Sequence, residues 1–136
     1  MADMLLKVIN FLAENGVVTG DAVDTYRDFT PDKPDKVVVL QEYGGLGTFQ
    51  GSEGAQRRFQ VSVRSSVEDP EWAKTKAWEV YNALIIPESI IDSRTWVDPD
   101  KLWGVLSAMN TPNKLRVDEN NRMVYGFNVN IVTERD

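Results

Sequence analysis

A chain of 136 residues suits one domain with one hydrophobic core, and 42% hydrophobic against 26% charged residues excludes wholesale disorder. It contains no histidine and no cysteine, which excludes imidazole-dependent nucleophilic catalysis, disulfides and the common zinc sites together. A net charge of -6 opposes nucleic-acid binding by phosphate neutralisation.

In chain order, Met4, Leu5, Val8, Ile9 and Leu12 recur at helical spacing and Gly16 offers a stop, predicting a helix over residues 3–15. Lys7 and Asn10 interrupt that segment, and it lacks the basic start and small-residue cleavage site of a signal peptide. No apolar run is long enough for a bilayer, so a cytoplasmic origin and no membrane partner are expected. Gly20, Asp21, Asp24 and Asp28 lead to Pro31, Asp32, Lys33, Pro34 and Asp35, a connector whose prolines fix extended or turned backbone. Val37, Val38, Val39 and Leu40 then predict a buried strand ending near Tyr43.

Residues 44–55 hold five glycines and little apolar surface, which predicts a flexible loop. The loop lacks a Gly-Lys-Ser/Thr continuation and the dinucleotide glycine spacing, so it does not read as a phosphate cradle. Over residues 56–65, Phe59, Val61 and Val63 alternate with Arg58, Gln60, Ser62 and Arg64, the period of a half-buried strand. The two strands and the loop form a long hairpin.

Asp69, Pro70 and Glu71 open a second helix, with Asp69 as the expected cap, reaching about Leu84. Ala73, Ala77, Val80, Tyr81 and Leu84 share its core face. Pro87 ends the apolar tail, residues 94–97 suggest a short strand, and Gly104 with the turn Thr111-Pro112-Asn113 favours strand over helix for residues 102–109. A short strand over residues 114–117 and a turn over residues 118–121 precede the last half-buried strand, in which Tyr125, Phe127, Val129 and Ile131 alternate with Gly126, Asn128 and Asn130. The order is mixed α+β with two main helices, without repeats or a second-domain linker.

Several motifs fit together in one order: a helical N-terminus, Pro34-Asp35 before Val37-Val38-Val39-Leu40, and Tyr43-Gly44-Gly45. Phe59-Gln60-Val61-Ser62-Val63-Arg64-Ser65 with an alanine-bearing helix follows, then residues 118–122 leading to Phe127-Asn128-Val129. That order resembles the minor capsid and tail-terminator (head-tail joining) proteins of siphovirus-like phages and prophages, over most of the chain. The resemblance implies a single domain spanning residues 1–136, with a central, mostly antiparallel sheet flanked by helices. It also implies a hexameric ring that caps the tail tube and joins tail to head. Its implied partners are other copies of itself, the tail tube protein and the head connector or completion protein, within a virion assembled in the host cytoplasm. No cofactor, metal or catalytic residue comes with the family. DNA passes such a ring without specific binding, and an acidic surface suits that passage.

Two readings of another kind stay open: a different connector or tail completion protein, and a small ligand-binding α+β domain or histidine-free enzyme. Asp32, Asp35, Asp98 and Asp100 sit beside prolines and read as turn residues rather than metal ligands. Trp72, Trp78, Trp96 and Trp103 divide between core and subunit contacts. The candidate interface comprises Gly45, Leu46, Thr48, Phe49, Gln50 and Glu53 on the loop, with Arg57, Arg58, Gln60, Arg64, Asn128 and Asn130 on the strands. Arg58 and Arg64 are expected on a solvated face, where reversing both charges leaves folding nearly intact.

Overall fold

The structure is a computed structural model and describes residues 4–48, 54–85, 93–97 and 103–134. In chain order it contains α1 (Met4–Glu14), β1 (Thr25–Arg27), β2 (Val37–Thr48), β3 (Gly54–Arg64), α2 (Glu71–Leu84), β4 (Ser93–Val97), β5 (Trp103–Ala108), β6 (Asn113–Val117) and β7 (Met123–Glu134). The strands form one mixed sheet of seven, in the order β1-β2-β3-β7-β5-β4, with β6 also paired to β7. Among the described strands only the β1–β2 pair is parallel.

The period-two patterns of β2, β3 and β7 are brought into one register. Leu40 faces Val61, which faces Phe127, while Phe59 lies opposite Val129. These residues are buried under α1 and α2 together with Leu5, Ile9, Leu12, Ala77, Val80 and Tyr81. Ala73 and Ala77 are fully buried, and such small side chains let α2 approach β3 and β7 closely. Tyr81 meets Phe127 edge-on at 5.2 Å between ring centroids, an arrangement that aligns the ring quadrupoles favourably.

Three local expectations change. β1 lies inside the stretch read as a connector. The strands of the hairpin extend to Thr48 and resume at Gly54, so Gly47, Thr48, Gly54 and Ala55 are paired rather than looped, and residues 49–53 lie outside the described residues. Asp69 does not cap α2: no side chain caps that helix, and the Asp69 carboxylate instead meets Lys36 at 2.9 Å. The strands expected over residues 102–109 and 114–117 are present as β5 and β6, side by side along the same edge of β7 and interrupted at residues 109–112. At that interruption Met109 N–H donates to the Asn128 carbonyl at 2.9 Å, while Asn128 N–H donates to the Asn110 side chain at 2.7 Å. An amide side chain thus replaces a missing backbone acceptor.

Candidate interaction surface

The helices cover one face of the sheet, and the alternate residues of β2, β3 and β7 form the other. Three rows cross it in register: Val37, Arg64 and Val124; Val39, Ser62 and Gly126; Gln41, Gln60 and Asn128. A fourth row, Tyr43, Arg58 and Asn130, lies beyond them. The first two rows are covered and the last two are open.

The cover is the β1–β2 connector, and it corrects the expectation for Arg64. Instead of facing solvent, Arg64 is 5% exposed. Its guanidinium donates to the carbonyls of Asp35 at 2.9 Å, Pro34 at 2.7 Å and Asp32 at 3.2 Å. Burial, and then the charge of Arg122, lower its pKa. Arg122, equally buried, donates to the same Asp32 carbonyl at 2.8 Å and pairs with Asp118 at 2.8 Å, Asp35 at 3.0 Å and Asp32 at 3.3 Å. Burial opposes its charge, but the bonds to Asp118 and Asp35 prevail and raise its pKa. The prolines shape the connector, and two arginines clamp it onto the sheet. Beside the clamp is an open trough of about 500 Å³, floored by Val39, Ser62 and Val124 and walled by Thr30 and Arg116.

Clamp chemistry holds Asp118 and Asp35 as charged carboxylates. Burial raises the Asp118 pKa, but donation from the Arg122 backbone and side chain and from Asn120 N–H outweighs it and leaves the carboxyl below its ordinary value. For Asp35 the hydrogen bond from Arg122 comes first and that from Lys33 second, again lowering the pKa. Neither aspartate belongs to a group able to hold a metal among the described residues.

On the open half, Tyr43 is 40% and Met109 49% exposed, and the tyrosine hydroxyl lies 3.6 Å from the Met109 sulfur. Arg58, in register with Tyr43, has a buried Nε with no hydrogen-bond partner among the described residues. Gln60, Asn128 and Asn130 are half-buried beside it. This is the part of the expected interface that the fold brings together. Arg57 leaves it, because the strand alternation turns it to the helical face, where it pairs with Glu42 at 3.1 Å. Gly45, Leu46 and Thr48 lie in β2, the first two within a register irregularity between Tyr43 and Gly47. Phe49, Gln50 and Glu53 lie outside the described residues. Met109 and Tyr43 were absent from the sequence-derived set; tyrosine and methionine enrichment at interfaces was the signal available.

The profile described as bacteriophage tail terminator protein matches residues 11–135. The chain belongs to that family. Its place is therefore in the phage virion as a tail structural protein, a role that points away from catalysis. A chain from a solved structure described as the virion of a native gene transfer agent particle has the same fold. The TM-score is 0.58 at 18% identity, covering 97% of this chain and 99% of the other. No curated protein matches the sequence. Among the described residues no helix is long and apolar enough to cross a membrane.

Proposed function

We propose that this family member works without catalysis, as a hexameric ring that caps the completed tail tube and presents a surface to the head connector. The family match over residues 11–135 carries this reading. The architecture supports it, since one sheet face is sealed by helices while half of the other presents tyrosine, methionine, arginine and amides, a composition suited to protein docking. Half-buried amides and a guanidinium whose Nε makes no hydrogen bond among the described residues favour contacts whose strength depends on geometry, as ordered assembly requires. The net charge of -6 is compatible with DNA moving past the ring without adhering.

Deleting the gene in its phage and examining particles by electron microscopy tests the reading. The expected outcome is overlong tails unattached to filled heads. Tails of normal length joined to heads would sink it.

A further inference from the structure

The β1 edge of the sheet is acidic, the outer edge of β6 carries two cations, and each has exposed apolar side chains. At the β1 edge, Phe29 is 62% and Val23 59% exposed, the two most exposed large hydrophobic residues described. Tyr26 supports Phe29 edge-on at 6.5 Å. Residues 14–28 around them hold four carboxylates and one cation, Arg27, already bound to Asp21 at 2.9 Å. At the other side of the sheet, β6 pairs with β7 alone, and its outer edge has no strand partner among the described residues. Lys114 and Arg116 are exposed there, neither with an ion-pair partner among the described residues, and Val117 is 45% exposed. Four strand spacings separate β1 from β6, so one patch cannot satisfy the other within a subunit.

We propose that the β6 edge of one copy docks against the β1 edge of the next, with Lys114 and Arg116 facing the carboxylates around Asp28, and Val117 packing on Phe29 and Val23. The contact is heterologous: the two surfaces differ, lie on opposite edges of one sheet, and repeat until the rotation closes. The register irregularity between Lys114 and Arg116 and the lysine itself discourage open-ended strand pairing, so side chains rather than a continued backbone ladder form the joint. This inference rests on the ring reading and assigns its subunit interface.

Because the chain has no cysteine, introduced thiols are the only ones present. Val23→Cys and Val117→Cys are prepared separately and treated with a short bismaleimide, alone and mixed, at concentrations where light scattering reports the assembly. The mixture is expected to cross-link at least tenfold more than either variant alone, and the double variant to give a ladder of covalent oligomers. Lys114→Glu with Arg116→Glu should weaken association at least tenfold while the melting temperature stays put. A ring of full mass without mixed cross-links, or with equal self-linking of one variant, overturns the edge assignment and leaves the ring standing. A monomer at every concentration overturns both.

Discussion

Arg64 and Arg122 bring like charges to one patch and direct both toward the Asp32 carbonyl, an arrangement that holds because carboxylates and backbone oxygens surround them. Arg122→Ala should cost about 2–3 kcal/mol in a thermal or urea melt. That is less than the loss for a fully buried ion pair, since Asp32 and Asp35 keep water contact. Arg64→Met should cost about 2 kcal/mol through its abandoned carbonyls, whereas Arg58→Glu, on the open half, should cost about 1 kcal/mol or less. Equal losses at all three positions would contradict the division into covered and open halves. The pH response follows from Asp118 and Asp35, whose carboxyls are held below their ordinary value of 3.8 in the folded chain. Their contribution is fully present above that value and is lost as pH falls through the lower folded one. With no histidine, no side chain of ordinary pKa titrates between about pH 5 and 8. Denaturant midpoints should therefore be flat across that range and fall below about pH 4, and Arg122→Ala should flatten the acid limb.

Among the strands, β7 is the most constrained, because it pairs with β3 on one side and with β5 and β6 on the other. Gly126 sits at its tightest point: a Cβ there would run into the Val61 carbonyl oxygen and lie 2.8 Å from a Leu115 methyl. The carbonyl belongs to the sheet and cannot yield, so Gly126→Ala should cost about 1–3 kcal/mol or more by overpacking, and a melt at wild-type temperature would refute the close approach. Alternation made β3 and β7 legible because Phe59, Val61, Phe127 and Val129 mark their buried side without outside help. The same alternation says only which side a residue takes. That Arg64 is covered while Arg58 is open depends on a connector about thirty positions earlier in the chain, which no local period encodes. β1 escaped notice because Thr25, Tyr26 and Arg27 carry no apolar pattern; pairing to β2 creates that strand. Asp69 read as a cap because its position fits one, but Lys36 offered its carboxylate a charge instead of an amide.

At the scale of the whole molecule, the arrangement is asymmetric in two independent directions. Helices seal one face, half of the other is open, and the acidic, apolar β1 edge lies four strand spacings from the cations of β6. A unit with distinct surfaces on several sides can bind copies of itself and a different partner at once, which a ring between a tube and a connector must do. In the proposed ring, we assign Arg58 and Tyr43 to the second kind of contact. Arg58→Glu should therefore leave the ring mass unchanged in light scattering while lowering head-tail joining in a complementation assay, and loss of the ring itself would reassign this surface to the subunit joint.

The arginine clamp also has a consequence in time. Asp32 and Arg122 are 90 positions apart, so their bond closes most of the chain into a loop that forms only after β7 has found β3. We expect an interaction completed that late to be absent when the folding barrier is crossed. Arg122→Ala should accordingly leave the refolding rate almost untouched and accelerate unfolding by nearly the whole stability loss, visible as a shift of the unfolding limb alone in a denaturant-dependent kinetic series. The clamp would then act as a latch on the finished subunit, lengthening its lifetime without helping it to fold.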